Sequence, residues 1–547
     1  MRAGAPQSTY GALMTIYMYF ILCECFDSYQ VRSLGNGLDS TLYPFYERDL
    51  RSGAYTREEI GEFLKYFLFQ WQAIGNYWGQ PFYLGGTNAD GSAKYNDLSY
   101  LILETYDKIG IYNPKIQLKI NKNTPEKLLN FVFDMVRRGK NSFAFMCEPG
   151  MAKAMRSYGA TEEESREADI RGCYETGVRA NEVSSATGYV NAAKAVEYVF
   201  FNGYDKKLHE VFGLRTGEIG GENGAEACGI NDEKGGNAPF ETFEKFYAAV
   251  KAQLKALLEK TMRVADEYEK YFSYINPSLM YSATVEGALE KGKDAYQSGV
   301  KYNNSSVLTA GFATLTDAVS VKEFVYEKKR ITLAQLKQAL SDNWSGYGNL
   351  RATVLASPHK YGNDDDAADK IAADLAAFES SVVNFRPNAR GGVYKASIHS
   401  AMQFLWEGEK TAATPDGRTA GAELSKNASP SVGADKSGVT ALIASALKLK
   451  PYAFTESFCL DVMLHPSSAE GSDGLQVMRT LLFAYLNGNG MAIQFNVFDA
   501  EMLRDAQKHP EKYRNLQVRV CGWNVLWNNL STEEQNAYIR RAENIAQ

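Results

Sequence analysis

The chain has 547 residues, of which 45% are hydrophobic, and its formal net charge is −6 with a pI near 5.7. This length and composition suffice for a large core, and a prior of roughly 150 residues per domain allows several domains. The acidic balance, with no Lys/Arg-rich tail and no basic–aromatic stripe, argues against nucleic acid as a partner.

The cysteines are dispersed along the chain and include no CxxC pair. The seven are Cys23, Cys25, Cys147, Cys173, Cys228, Cys459 and Cys521. An odd, scattered set argues against a disulfide framework and against a zinc or iron–sulfur site in this chain, so we expect no metal. Free thiols fit a reducing, cytoplasmic location.

The first predicted element is an apolar helix over residues 10–26, with the sequence YGALMTIYMYFILCECF. It follows a lone Arg2 and superficially resembles a secretory signal, but Glu24 interrupts it and no small-x-small cleavage site closes it. The run is also shorter than the roughly 20 apolar residues of a membrane-spanning helix. We therefore expect a buried helix and no membrane association.

Helical and strand-like patterns alternate along the rest of the chain. Residues 55–75 and 241–272 carry apolar side chains at helical spacing. Short apolar or alternating runs predict strands at Ile116–Ile120, Ser142–Met146 and Met491–Val497. The mixture favours α/β architecture. Neither a Walker loop nor a strand–GxGxxG–helix unit is present, so nucleotide binding is not supported.

The most informative segment lies near the C-terminus and reads FNVFDAEMLRDAQKHPEKYRNLQVRVCGW, ending at Trp523. It predicts a helix from about Ala500 to Lys508 and an extended run over Leu516–Val520, just before Gly522. A glycine between two extended runs is most often a turn or bulge. The RVCGW string alone therefore carries little functional information.

A second motif, Arg171-Gly-Cys-Tyr-Glu175, lies in the first half of the chain. An isolated cysteine is more often a small buried hydrophobic residue than a catalyst. Together, however, the two motifs closely resemble those of glycyl radical enzymes. That family stores a backbone radical on the glycine of an RVxGY-like motif and forms a thiyl radical on the cysteine of a GCxE loop.

By this resemblance, Gly522 stores the radical and Cys173 carries it to the substrate, with Trp523 replacing the usual tyrosine. Glycine suits this role because, without a Cβ, its backbone can approach a buried partner closely and flatten at Cα. Further family motifs follow in the expected order along nearly the whole chain. They are Leu42–Tyr46, Asn96–Tyr100, Lys360–Asp366, Ala413–Arg418 and Ser429–Asp435.

The resemblance implies an α/β fold in which helices surround a ten-stranded barrel. The barrel is expected over residues 1–480, with the thiyl loop around 171–176, and a glycine radical domain over 481–547. The similarity starts at Pro6–Leu13, a point well inside the usual family members, so the barrel is expected to lack an N-terminal block. A naturally short variant and a fragment both stay open.

The central loop separates the branches of the family. The formate acetyltransferase branch has two adjacent cysteines there, whereas Gly172 and Tyr174 flank Cys173 in this chain, so the acylated nucleophile is missing. The ribonucleotide reductase branch binds zinc through cysteines near its C-terminus, and Cys459 and Cys521 alone cannot form that site. A non-catalytic rescue protein would need no thiyl cysteine.

Glu175 points to the eliminase group, which includes diol dehydratases and choline lyase. In that group the thiyl radical takes hydrogen from a carbon bearing a hydroxyl, the glutamate acts as base on the hydroxyl, and a neighbouring group leaves. We therefore expect a dehydratase or lyase that acts on a small hydroxylated substrate. Hydroxyarylacetate decarboxylases share the GCxE loop and are the alternative, together with a formate C-acetyltransferase-like enzyme or an inactive short member.

The pocket residues are harder to assign, because each candidate could equally be a hydrogen-bonded residue of the barrel wall. The candidates are Asp39, Tyr174, Tyr302, Asn303 and His399. The resemblance further implies a homodimer that binds no cofactor. A separate activating enzyme, which uses an iron–sulfur cluster and S-adenosylmethionine, would remove hydrogen from Gly522.

Overall fold

The computed structural model describes residues 4–27, 36–74, 81–215, 240–319 and 321–545. Within these ranges the chain forms a mixed α/β fold in which helices surround a central sheet. This architecture confirms the fold class expected from the sequence. One of the seven cysteines, Cys228, lies outside the described residues.

The strands of the described residues are β1 Pro81–Gly85, β2 Lys115–Ile120, β3 Phe143–Cys147, β4 Ala168–Arg171, β5 Glu175–Val178, β6 Glu182–Asn191, β7 Tyr204–Asp205, β8 Glu210–Val211, β9 Tyr302–Ala310, β10 Tyr394–Ile398, β11 Ser457–Leu464, β12 Ala492–Val497, β13 Gln517–Arg519 and β14 Asn524–Leu526.

The helices are α1 Thr9–Phe26, α2 Leu38–Ser52, α3 Arg57–Ala73, α4 Asp97–Ile109, α5 Glu126–Arg137, α6 Glu148–Ser157, α7 Glu162–Arg166, α8 Lys194–Phe200, α9 Phe243–Glu269, α10 Phe272–Ile275, α11 Leu279–Ser282, α12 Ala288–Lys291, α13 Phe312–Ala318, α14 Leu333–Ser341, α15 Gly348–Leu355, α16 Asp366–Val383, α17 Gln403–Glu409, α18 Gly438–Lys448, α19 Gly471–Asn487, α20 Ala500–Lys508 and α21 Thr532–Ile545. Short 3₁₀ or π segments lie at Ala295–Gly299, Lys322–Glu327, Pro451–Ala453, Pro466–Ala469, Pro510–Lys512 and Trp527–Asn529. The helices and strands predicted from periodicity correspond to α3, α9, β2, β3 and β12, apart from their terminal residues.

The central sheet has the strand order β1-β2-β3-β12-β11-β10-β9-β6. Strands β1 to β3 are parallel to one another, strands β12, β11, β10, β9 and β6 are parallel to one another, and the β3–β12 pair is antiparallel. We expected ten strands, and the described residues place eight in this sheet. Three strands lie on one side of the antiparallel junction between β3 and β12, and five lie on the other side.

The two faces of β2 differ in polarity although both are buried. On the neighbouring β3, Phe143 and Phe145 meet Tyr106 of α4 and Phe133 of α5, with ring centroids 5.4 and 4.9 Å apart. In the parallel pairing of β2 with β3, Ile116 lies beside Phe143 and Leu118 lies beside Phe145. The apolar side chains of β2 therefore also face the helices. The alternate residues of β2 therefore point to the opposite, interior face.

Helix α1 is helical as predicted but is buried on one face only. Its Phe20 packs edge-on against Trp71 of α3, with ring centroids 4.6 Å apart, and Leu13 is also buried. Tyr10 and Phe26 are exposed. Within the described ranges, α1 is the one helix whose length and composition would allow it to cross a membrane.

Candidate active site

Two antiparallel hairpins meet inside the fold, and their tips carry the two residues singled out by the sequence motifs. Cys173 lies at the tip of the hairpin β4–β5, and Gly522 lies at the tip of the hairpin β13–β14. A Cβ placed on Gly522 would lie 2.2 Å from the Cβ of Cys173 and 2.8 Å from its Sγ. The structure thus brings the predicted radical glycine into direct contact with the predicted thiyl cysteine.

Position 522 requires glycine for two independent reasons. Its φ of +89° lies in the left-handed region, which side chains strongly disfavour. Any side chain would also overlap Cys173, since real Cβ atoms do not approach other atoms so closely. One Cα hydrogen of Gly522 therefore points at Cys173, along the direction that a side chain would take.

A chain of polar contacts fixes the Gly522 hairpin to strands β11 and β12. Arg519 is fully buried, and its Nη2 donates to the Gly522 carbonyl at 3.0 Å while its Nε donates to Gln494 Oε1 at 2.9 Å. Gln494 in turn donates to Asp461, and Lys426 Nζ lies 3.0 Å from Asp461 Oδ1. Charge-assisted bonds of this kind are short and directional, so they hold the glycine carbonyl in one orientation.

The Cys173 hairpin is held from the interior face of β2. Gln117 Nε2 donates to the carbonyl oxygens of Gly172 and Cys173, both at 3.0 Å. Lys115 Nζ lies 3.5 Å from Cys173 Sγ. Gly172 has a φ of +61°, and a Cβ there would lie 2.7 Å from a carboxylate oxygen of Glu175. The tight tip therefore needs glycine before the cysteine, as the GCxE motif has it.

Glu175 folds back onto its own loop and also meets His399. Its Oε2 accepts from the backbone N–H of Cys173 at 2.6 Å and of Tyr174 at 2.9 Å, and its Oε1 lies 3.3 Å from His399 Nδ1. Burial opposes ionisation, but His399 and the backbone amides outweigh it and lower the pKa of Glu175 to about 2. Burial likewise disfavours the charged imidazole, yet Cys521, Cys173 and Glu175 raise the pKa of His399 well above its usual value. At neutral pH the lowered pKa keeps Glu175 a carboxylate, 3.3 Å from the His399 ring.

Four buried charges anchor the base of the Cys173 hairpin. Lys395 Nζ lies 2.8 Å from Glu182 and 2.6 Å from Glu456, and Arg171 Nη2 lies 3.6 and 3.7 Å from the same two carboxylates. Both cations also donate to the carbonyl of Thr176 on β5, at 2.7 and 3.0 Å. Burial alone would raise the pKa of Glu182, but the two cations outweigh it and lower that pKa to about 2. Two positive and two negative charges thus balance within the cluster.

Two of the five pocket candidates lie at the hairpin tips. The Tyr174 hydroxyl donates to Gln494, and its ring meets His399 edge-on, with centroids 5.3 Å apart. His399 follows β10 directly and contacts Glu175 as described above. Both residues therefore border the Cys173 loop.

The other three candidates have their polar groups paired elsewhere, as expected of wall residues. Asp39 is fully buried and accepts from the N–H groups of residues 40 and 85 and from the Ser99 hydroxyl, linking α2, β1 and α4. The Tyr302 hydroxyl donates to Glu164 at 2.9 Å. Asn303 donates to the Ala295 carbonyl at 2.7 Å and accepts from Arg390. These contacts do not support a pocket role for Asp39, Tyr302 or Asn303.

Motif reasoning missed several residues that surround the two tips. They are Lys115, Gln117, Lys426, Asp461, Gln494 and Arg519. Polar residues at alternate positions of the run KIQLKI were a signal that one face of this strand is polar. Arg519 belongs to the RVCGW string itself. Asp461 and Gln494 come together through the pairing of β11 with β12.

Comparison with known proteins agrees with this arrangement. The model described as "pyruvate formate lyase-like" matches residues 2–404, and the model described as "glycine radical" matches residues 424–528. The contact between the Cys173 loop and Gly522 agrees with the radical relay that the sequence resemblance to glycyl radical enzymes implied. The chain belongs to the pyruvate formate lyase-like family of glycyl radical enzymes.

Its curated relatives include trans-4-hydroxy-L-proline dehydratase from Clostridioides difficile, 32% identical over 524 residues, covering 92% of this chain and 64% of the relative. Another is (2S)-3-sulfopropanediol dehydratase from Klebsiella oxytoca, 26% identical over 561 residues, covering 99% of this chain and 66% of the relative. A crystal structure of the Clostridioides difficile hydroxyproline dehydratase with substrate bound matches with a TM-score of 0.88 at 30% identity, covering 98% of this chain and 67% of that one. The chain therefore spans about two thirds of the length of these relatives.

The balanced charge cluster at the base of the Cys173 hairpin yields a stability prediction. Lys395→Met leaves one uncompensated negative charge in a buried site, so we expect a loss of about 3–5 kcal/mol in the free energy of unfolding. Adding Glu456→Gln removes the excess charge and should recover part of that loss. Thermal unfolding of both variants tests this, with Lys370→Met as a control at a side chain that is 80% exposed. An unchanged midpoint for Lys395→Met, or a further fall in the double variant, would contradict the proposed balance.

Proposed function

We propose that this chain acts as a glycyl radical lyase of the dehydratase type, which eliminates water or another leaving group from a small hydroxylated substrate. The contact between Gly522 and the Cys173 side chain carries this proposal. Both relatives named above are dehydratases by name, which supports the reaction class. The glycine radical domain implies a radical that is formed after translation.

In this reaction Cys173 relays the radical between Gly522 and the substrate. The glycyl radical takes the hydrogen of the Cys173 S–H bond, which restores the glycine and leaves a thiyl radical on sulfur. The thiyl radical then takes hydrogen from the substrate carbon that bears the hydroxyl. The hairpin contact supports this relay because no other group needs to move between the two residues.

Glu175 moves the proton in the elimination step. After hydrogen abstraction, the substrate hydroxyl is far more acidic than in an ordinary alcohol, and its proton passes to the Glu175 carboxylate. The group on the neighbouring carbon leaves with its bonding electrons, and a departing hydroxide takes that proton to become water. The product radical finally regains hydrogen from Cys173. The lowered pKa of Glu175 keeps its carboxylate ionised at neutral pH, so it carries no proton before the substrate hydroxyl becomes acidic.

The proposal includes partners that act on the folded chain. A separate S-adenosylmethionine-dependent, iron–sulfur activating enzyme would remove the hydrogen from Gly522, and the active chain would be a cytoplasmic homodimer without a bound cofactor. The described cysteines are all free thiols, which suits a reducing compartment. Among the described residues, no group of three or more metal-ligating side chains forms a candidate metal site.

The separate roles of storage and relay predict different results for the two cysteines near Gly522. Cys173→Ala should abolish turnover yet leave the glycyl radical formable, because the activating enzyme acts on Gly522 directly. Cys521→Ala is the matched control and should retain most turnover. Electron paramagnetic resonance after anaerobic activation measures the radical, and product analysis measures turnover. If Cys521→Ala abolishes turnover while Cys173→Ala does not, the relay has been assigned to the wrong cysteine.

The role of Glu175 predicts a loss of elimination without a loss of hydrogen abstraction. Glu175→Gln keeps the size of the side chain and an oxygen for the two loop amides, but it cannot accept the proton. We expect turnover to fall about 10²–10⁴-fold. Exchange of substrate hydrogen with the Cys173 thiol should persist. The exposed Glu163→Gln serves as the control.

Products of the activated enzyme from a panel of diols, amino alcohols, sulfonates and arylacetates then decide the reaction class. An aldehyde or ketone from a hydroxylated compound is the expected result, with no dependence on coenzyme A. Acetyl-coenzyme A from pyruvate would contradict the proposal. Carbon dioxide from an arylacetate would instead make the chain a decarboxylase, the alternative that shares the GCxE loop.

A further inference from the structure

Strand β2 presents a row of polar side chains to the interior of the fold, next to the reacting sulfur. Lys115, Gln117 and Lys119 occupy alternate positions and are at most 4% exposed. The alternate apolar residues of β2 face helices α4 and α5, as the pairing with β3 requires. A buried strand face with two lysines is unusual, since isolated charges are expensive to bury.

Lys115 is the member of this row that reaches Cys173. Its Nζ lies 3.5 Å from the Cys173 Sγ, and no carboxylate oxygen of the described residues lies within ion-pair distance of it. Lys395 and Lys426, two other buried lysines near the hairpins, differ in this respect because each contacts carboxylates. The positive charge of Lys115 is therefore left without a negative partner beside the reacting sulfur.

Two polar groups of the same wall have no hydrogen-bond partner among the described residues. The Oε1 atom of Gln117 and the hydroxyl of Tyr83 are buried and accept or donate no hydrogen bond within the described ranges. Tyr83 on β1 lies directly opposite Gln117 on β2, so both side chains point to the interior face that also carries Lys115. Buried polar groups are normally satisfied by protein, water or ligand. Two unsatisfied groups on one wall, beside a lysine that has no carboxylate partner among the described residues, therefore indicate a polar ligand.

We propose that Lys115 binds an anionic group of the substrate, so that the enzyme acts on hydroxylated carboxylates or sulfonates in preference to neutral polyols. This inference rests on the proposed elimination and names its substrate class. Lys115 lies beside the sulfur of Cys173, while Glu175 reaches the same loop through the backbone amides. The Glu175 carboxylate repels the anionic group of the substrate and accepts a hydrogen bond from its hydroxyl. The Lys115 ammonium attracts the anionic group. The two side chains would thus orient the substrate across Cys173.

Binding to the unactivated protein tests this proposal without requiring the radical. The probes share one diol and differ in one end: 2,3-dihydroxypropanoate, 2,3-dihydroxypropane-1-sulfonate and glycerol. By calorimetry, we expect at least one of the two anions to bind about 10- to 100-fold more tightly than glycerol, as a charged hydrogen bond provides. The tighter of the two anions identifies the acidic group. Lys115→Met should remove this advantage and leave glycerol binding unchanged.

Two further variants act as controls. Lys115→Arg keeps the charge and should keep the preference for the anion, and Lys122→Met alters an exposed lysine just after β2. If Lys115→Met fails to fold, shown by its thermal unfolding midpoint, Lys115→Gln replaces it. Failure of both anions to bind, or an equal loss of glycerol and anion in the methionine variant, overturns the proposal.

The competing role for Lys115 is to hold the Cys173 thiol itself. In that case Lys115→Met would change the rate at which iodoacetamide alkylates Cys173 and would leave the anion preference intact, which also overturns the proposal. These binding results are independent of whether the enzyme performs the proposed elimination. A chain that binds the anion through Lys115 but forms no elimination product contradicts the proposed reaction and not the anion site.

Discussion

Gly522 and Cys173 approach so closely that even a methyl group on the glycine would overlap the cysteine side chain. Such an approach requires two hairpins to end at the same point inside the fold, and hairpin tips are mobile unless other contacts fix them. The fold meets this requirement with buried charge. Arg519, Gln494 and Asp461 hold one tip, and the cluster around Lys395 holds the other.

The buried charges of the site divide into paired and unpaired groups, and the two groups have different consequences. Paired charges, such as Lys395 with Glu182, fix the backbone but contribute little net stability, because desolvation offsets their attraction. Glu175 contacts His399, and its lowered pKa keeps the carboxylate ionised at the reacting loop. Lys115 has no carboxylate partner among the described residues, so its charge remains available to a ligand. In this account, the paired charges position the reacting loops, and a different side chain, Lys115, selects the substrate.

The sequence was sufficient to predict the features that depend on local pattern. The strands β2, β3 and β12, and the pairing of Gly522 with Cys173, follow from periodicity and from two family motifs. The role of Asp39 could not be predicted, because a buried aspartate with three hydrogen-bond donors looks the same in sequence as a pocket acid. Lys115 was missed because its functional role depends on which face of β2 points to the interior. Only the packing of β3 against α4 and α5 determines the orientation of these faces.

Cleavage by oxygen after activation tests most directly whether Gly522 stores the radical. A glycyl radical reacts with oxygen at its Cα, and the backbone then breaks at that residue. The account expects that anaerobic activation followed by exposure to air yields a chain truncated near Gly522 and a short C-terminal peptide, both identified by mass spectrometry, and that unactivated chain stays whole. An activated chain that carries an organic radical yet remains intact in air, or that breaks at another residue, would contradict the account.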